Sequence, residues 1–273
     1  MSFKVLCIGD VVGLPGRMMV QKHLAKLQRE LGIDATIVNG ENSADGKGIT
    51  PRIAHFFKHN KVDVITTGNH IWNKKEIYPY LAEHTDVLRP ANFPAETPGV
   101  GLTMVTIKDQ LVAVINLQGR VFMRELVECP FKAAQTLVAT AREKTNLIFV
   151  DFHAETTSEK QGLSFFLDGS ISALVGTHTH VQTADERILP GGTAYITDLG
   201  MVGSLNSMLG MKKEPIIKQL MTQMPTKFSV ETTGPFVMSG VWIDVDTATG
   251  KALDIQRVRI VDHELIIDTN DSL

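Results

Sequence analysis

Two histidines at alternate positions, His178 and His180, follow the apolar run Ile171-Ser172-Ala173-Leu174-Val175-Gly176. Such a run, rich in β-branched residues, reads as a buried strand, with Gly176 as its stop. Side chains on extended backbone repeat every second residue, so both imidazoles are expected on one side of the strand's end. Imidazole is the commonest side-chain metal ligand, and two on one side make half a coordination sphere. By itself the pair reads equally well as two surface loop histidines.

Four other runs carry the same grammar. The apolar residues 5–9 end in Asp10, and 35–38 lead into Asn39-Gly40-Glu41-Asn42. Residues 62–67 run into Gly68-Asn69-His70, and 146–152 end at His153. If these strands are neighbours in one mostly parallel sheet, their carboxyl ends share an edge, where open α/β sheets bind ligands. The donors gathered there are carboxylates (Asp10, Glu41), carboxamides (Asn42, Asn69) and imidazoles (His70, His153, His178, His180), with no thiolate. That exceeds the needs of one tetrahedral ion. It suits two cations sharing a carboxylate at roughly 3.5–4 Å, the arrangement of many phosphatases and nucleases. Singly, Asp10 could cap a helix, Asn69 could sit in a turn and His153 could be a hydrogen-bonded core histidine. Five coincidences at one topological position are harder to explain that way.

The elements that must position these residues are legible as alternating strands and helices. Continuous apolar runs such as 5–9 mark strands covered on both faces. A turn at Gly13, Pro15 and Gly16 precedes a helix over 18–31 stopped by Gly32, and a second helix over 51–59 opens on a proline. Shorter helices are expected over 74–81 and 162–167, a longer one over 131–143, and antiparallel strands over 102–108 and 111–117. A strand at 193–197 follows the two-histidine stretch. Residues 201–235 change character: methionines interleave with lysines and prolines, and 215–224 reads as a helix. This segment is expected to leave the sheet as a cap over the site or an oligomer contact, with Met-rich core filling as the plain alternative. An alternating hairpin over 237–245 and 252–261, turning at 248–250, closes the fold, and the tail after Asp262 is expected to be partly disordered.

Composition narrows the function. With 273 residues, 43% hydrophobic and 21% charged, the chain has the make-up of one sizeable α/β domain spanning 1–273. A formal net charge of −3 gives no global attraction to nucleic acid or membranes. Cys7 and Cys129 make neither a disulfide framework nor a thiolate metal site. No signal peptide or membrane span is apparent, so a cytoplasmic location is expected.

Gly9-Asp10, Gly40-Glu41-Asn42, Gly68-Asn69-His70, His153 and Gly176-Thr177-His178-Thr179-His180 resemble the calcineurin-like metallophosphoesterase superfamily. Gly-Asp-Val-Val-Gly, Asn-Gly-Glu-Asn, Thr-Gly-Asn-His-Ile-Trp and Gly-Thr-His-Thr-His are closer still to the YmdB-type bacterial phosphodiesterases. The superfamily's Asp-x-His motif is Asp10-Val11-Val12 here, and Glu41 stands where an aspartate usually bridges, which argues against phosphoprotein substrates.

The resemblance implies an αββα sandwich of mixed sheets with helices on both outer faces and a small cap. It implies one metal on Asp10, Asn42 and His180, a second on Asn69, His153 and His178, Glu41 bridging, and His70 as general acid. It also implies iron or manganese, with zinc or magnesium possible, and attack by a metal-bridging hydroxide on a phosphodiester, foremost a 2′,3′-cyclic nucleotide. A homo-oligomer and an RNA-related role belong to the same expectation. Arg17 and Arg120 are candidate phosphate contacts, each more simply a solvated arginine, and Trp72 is a candidate base-stacking residue more simply used in packing. The rival readings are a metal-dependent nuclease or phosphomonoesterase on the same site, and a nucleotide-sensing regulatory protein with little turnover.

Overall fold

Alternate residues of the first apolar run enter two different cores, and that split organises the molecule. The structure is a computed structural model and describes residues 1–267. Strand β1 (Ser2–Ile8) sends Leu6 and Ile8 into a core shared with helices, and Val5 and Cys7 into one shared with a second sheet. Next come β2 (Asp10–Val11), α1 (Gly13–Leu31), β3 (Ala35–Asn39), α2 (Pro51–His59), β4 (Val64–Thr66) and α3 (Ile77–Glu83). The second half holds β5 (Leu102–Ile107), β6 (Gln110–Gln118), α4 (Pro130–Arg142), β7 (Leu147–His153), α5 (Thr157–Leu167) and β8 (Ala173–Thr177). The chain ends with β9 (Arg187–Ile188), β10 (Ala194–Ile196), β11 (Met201–Ser204), α6 (Lys213–Thr222), β12 (Phe236–Asp246) and β13 (Ala252–Asp262).

Two mixed sheets result, not one. The first runs β2-β11-β12-β1-β3-β4 with β13 against β12, and the second runs β5-β6-β7-β8-β10-β9. Strands β1, β3 and β4 are parallel, as are β6, β7, β8 and β10, while β12 lies antiparallel to β1. Val5, Cys7 and Ile37 of the first sheet meet Val114, Phe149 and Val175 of the second between the layers. Met19 and Leu24 of α1, Phe57 of α2 and Leu81 of α3 cover the first sheet's outer face. Ala134 and Val138 of α4 with Leu163 and Leu167 of α5 cover the second. Each fully buried Val, Leu or Ile contributes about 1.5–3 kcal/mol, so both faces of each sheet are stabilised. The αββα sandwich is therefore the architecture, and the single parallel sheet is corrected: a run buried on both faces looks the same whether helices or another sheet do the covering.

Several boundaries differ from the pattern reading for local reasons. Helix α1 begins at Gly13, because a proline in the first turn removes only a donor that needs no partner there. Helix α5 begins at Thr157, where the Thr156 hydroxyl accepts from the Glu159 N–H, an N-cap that the search for apolar periodicity passed over. Gly176 does not stop β8, which continues to Thr177. Met201–Ser204 is a buried strand of the first sheet, so the excursion starts after Ser204, and none of the residues of its helix α6 is buried. In the tail expected to be partly disordered, Leu265 and Ile267 pack against the first core, and its remainder at 268–273 lies outside the described residues. Among the described residues no helix is long and apolar enough to cross a membrane.

Candidate metal centre

The carboxyl ends of the parallel strands of both sheets open onto one site. From the first sheet come Asp10 just beyond β1, Glu41 and Asn42 beyond β3, and Asn69 and His70 beyond β4; from the second, His153 ends β7, and His178 and His180 follow β8. All eight are brought together. His153 Nε2 lies 3.0 Å from Asn69 Oδ1, 3.0 Å from His178 Nδ1 and 3.3 Å from Glu41 Oε1. Asn42 Nδ2 lies 3.0 Å from Glu41 Oε1 and 3.1 Å from His180 Nε2. Asp10 accepts the His178 backbone N–H at 3.2 Å and stands 3.7 Å from His180 Nε2. His70 Nδ1 lies 2.8 Å from Asn42 Oδ1 and 3.3 Å from Glu41 Oε1.

The expected pairing of His178 and His180 on one strand face is not how they converge. Both have left-handed backbone, at φ 97° and 65°, which is uncommon for residues with a Cβ and costs of order 1–3 kcal/mol each. The chain therefore twists after β8, turning His178 toward His153 and His180 toward Asn42 and Asp10.

The donor set fits a cation. Glu41, His153 and His178 each offer a ligand atom, all within 4.8 Å of one another. His153 Nε2 carries one proton at most yet has three acceptor-type atoms around it. Among the described residues Asp10 Oδ1 is buried with no hydrogen-bond partner, a costly omission that a positive ion would satisfy. Gly68 is what allows this crowding: a Cβ there would lie 2.2 Å from His153 Cδ2 and 2.3 Å from Glu41 Oε2.

Charge coupling inside the cluster is strong. Burial pushes Asp10 up to about 6 against the pull of His180 and His153. Burial likewise opposes ionisation of Glu41, but His153 and His70 outweigh it and hold the carboxyl well below the usual range. For His153 burial disfavours the charged ring, yet Glu41, Asp10 and Asp151 raise it to about 9. Burial and the neighbouring His153 lower His178 to about 3.

Two hollows meet at the cluster and share Lys47, His70 and His178. One, of 370 Å³, is walled by Val12, Met208, Leu209, Met211, Ile216 and Phe228, most of them from the excursion after β11. The other, of 440 Å³, is polar and includes Asn69, Asn73, Phe122, Arg124 and Glu125. Neither arginine singled out from the sequence lines them. The Arg17 guanidinium is buried and donates to the Ser43 carbonyl, which holds the loop carrying Glu41 and Asn42. Arg120 is exposed, and its backbone N–H donates to Glu159. Trp72 packs edge-on against Tyr78 and Phe93. Pattern reading passed over Lys47, Arg124 and Glu155, ordinary loop residues without periodic signal. It also passed over Asp151, although a carboxylate within the wholly buried run Leu147–His153 is itself a signal.

The model of the family described as YmdB-like protein matches residues 6–258. A 2′,3′-cyclic-nucleotide 2′-phosphodiesterase of Bacillus subtilis is 50% identical over 265 residues, covering 97% of this chain and 100% of that protein. A crystal structure described as a novel phosphatase from Mycoplasma pneumoniae superposes with a TM-score of 0.90 at 35% identity, covering 96% of this chain and 94% of that one. A 5′-nucleotidase precursor from Thermus thermophilus shares the fold alone, with a TM-score of 0.57 at 13% identity over 96% of this chain and 55% of that one.

Proposed function

Because the chain belongs to the YmdB-like family and has the metallophosphoesterase sandwich, we propose that it is a divalent-metal phosphodiesterase that opens 2′,3′-cyclic nucleotides at the 2′ ester. The observation that carries this reading is the crowding of Glu41, His153 and His178 with an Asp10 oxygen that has no hydrogen-bond partner among the described residues, on the rim of a hollow of nucleotide size.

Asp10, Asn42 and His180 would hold one cation, Asn69, His153 and His178 a second, with Glu41 shared. Oxygen and nitrogen donors without sulfur suit iron or manganese, and also zinc or magnesium. When bound, such a pair supplies a water acidified to near neutrality and polarises the phosphoryl oxygens.

The chain's own groups do the rest. His70 is held through Nδ1 by Asn42 and Glu41, which leaves Nε2 to give a proton to the departing ribose oxygen. The apolar wall of Met208, Leu209, Met211, Ile216 and Phe228 receives the base and makes the excursion at 205–235 a cap. Lys47, common to both hollows, balances phosphate charge. On this proposal the protein acts in the cytoplasm on free nucleotides.

The test is metal-stripped protein reconstituted with manganese or ferrous iron and offered a 2′,3′-cyclic nucleotide, a phosphomonoester and a short RNA. The expected result is preferential turnover of the cyclic diester to the 3′-monophosphate, lost together with bound metal in Glu41→Gln. Metal-replete protein that binds the cyclic nucleotide without hydrolysing it would favour the sensor instead.

A further inference from the structure

Each of the three histidines assigned as metal ligands, His153, His178 and His180, has a second ring nitrogen turned away from the centre, and each of these meets a group able to accept its hydrogen. His180 Nδ1 lies 3.0 Å from the Leu209 carbonyl, which can only accept. His178 Nε2 lies 3.0 Å from Glu155 Oε2. His153 Nδ1 lies 2.9 Å from Thr177 Oγ1, whose own hydrogen goes to Asp151 Oδ1 at 2.7 Å. Asp151 is held in turn by Asn39 Nδ2 at 3.1 Å and by the Thr66 hydroxyl.

Counting hydrogens assigns the rings. A proton on Nδ1 of His180 and on Nε2 of His178 leaves His180 Nε2 and His178 Nδ1 as lone pairs facing inward. For His153 the outcome depends on Thr177: because the hydroxyl donates to Asp151, its oxygen can only accept from His153 Nδ1–H. His153 Nε2 is then the atom free for a cation. If Asp151 were absent, the hydroxyl could turn and donate to Nδ1, which would put the hydrogen on Nε2 and block it.

We infer that Asp151 acting through Thr177, Glu155, and the Leu209 carbonyl of the excursion are positioning groups that set all three histidines as metal ligands. This explains why β7 buries a carboxylate at Asp151, 3% exposed, in an otherwise apolar strand core. It also makes the excursion part of the centre's outer support. Groups of this kind orient imidazoles and raise their basicity, and losing one typically costs 10–100-fold in metal affinity. The inference rests on the metal centre proposed above but not on its substrate.

The experiment reads zinc binding and ring protonation without turnover. Thr177→Val keeps the side chain's shape and removes the hydroxyl, so zinc measured against a competing chelator should bind about 10–100-fold more weakly. Thr177→Ser should restore wild-type affinity, and Glu155→Ala should weaken zinc by a smaller factor, Glu155 being partly exposed. In zinc-loaded wild-type protein labelled with ¹⁵N-histidine, long-range proton–nitrogen correlation should show His153 protonated at Nδ1, His178 at Nε2 and His180 at Nδ1. Folded Thr177→Val protein with wild-type zinc affinity overturns the inference, as does a proton at His153 Nε2; the wild-type spectrum decides even if Thr177→Val does not fold. Protein that binds zinc with these tautomers yet hydrolyses no cyclic nucleotide would sink the proposed activity and leave this inference standing.

Discussion

Replacing Lys160 tests how the two-histidine loop is held. Lys160 of α5 is 1% exposed, and its Nζ lies 2.8 Å from Asp198 Oδ2, itself fully buried. The same carboxylate accepts the Thr179 N–H at 3.1 Å, the Thr179 hydroxyl at 2.7 Å and the Gly200 N–H at 2.8 Å. Thr179 stands between His178 and His180, so this buried pair anchors the loop through its middle residue. The lysine stem passes so close to Gly176 that a Cβ there would lie 2.9 Å from Lys160 Cδ and 1.8 Å from the Thr197 carbonyl oxygen. Lys160→Met fills the same channel and leaves Asp198 as a buried charge without a counter-ion. Breaking a buried pair from one side costs about 3–5 kcal/mol, and the three surviving donors argue for the lower end, about 3 kcal/mol. At this chain length that corresponds to a fall in Tm of roughly 6 °C. Urea unfolding of metal-stripped protein, followed by the fluorescence of Trp72 and Trp242, measures it without stabilisation by bound ions. Lys160→Met with Asp198→Asn should recover all but about 1 kcal/mol, because both charges are gone. A single variant losing less than about 1 kcal/mol, or single and double variants losing equally, would refute the claim that charge pairing holds this loop.

Protons and metal compete for the same atoms. With His153 raised to about 9 and Asp10 to about 6, metal uptake near pH 7 should release about one proton, and affinity should weaken about tenfold per pH unit lost below 9, more steeply below 6. Calorimetry in buffers of different ionisation enthalpy checks this, and affinity constant from pH 6 to 8 would contradict it. His70→Ala should leave metal content near normal while turnover of a diester with a poor leaving group falls by about 10²-fold or more, an activated aryl diester being much less affected. Equal loss on both substrates would remove His70 from the role of proton donor. Gly68→Ala should separate Glu41 from His153 and abolish metal retention in protein that still folds, as elemental analysis beside circular dichroism would reveal. Asp262 is held far below the usual carboxylate range: burial opposes this, but Lys22, His23 and the backbone N–H groups of Glu264 and Leu265 overcome it. A depressed pKa contributes stability that is full above the unfolded value near 4, declines below it, and is lost only as the pH falls through the much lower folded value. Asp262→Asn should therefore destabilise most at pH 7, and in urea titrations the deficit should shrink as the pH falls below 4 while remaining measurable at pH 3.

What the chain reveals by itself is the identity of the donors and the alternation of strands and helices. An apolar run that stops at Asp10, Glu41, Asn69, His153 or His178 is visible without coordinates, because burial demands apolar residues and chemistry demands polar ones at the point where burial ends. The strand patterns leave open whether these ends come from one sheet or two facing ones, since each records that its faces are covered but not by what; the family resemblance implied the sandwich, and the tertiary structure has it. Tertiary structure alone decided that His178 and His180 converge through left-handed backbone, that Arg17 holds a loop while Lys47 lines the hollows, and that Asp151, Glu155 and Leu209 stand behind the histidines. Those facts depend on which residues distant in sequence become neighbours. Local spacing carries no such information, because packing selects partners by shape and charge only after the chain has folded.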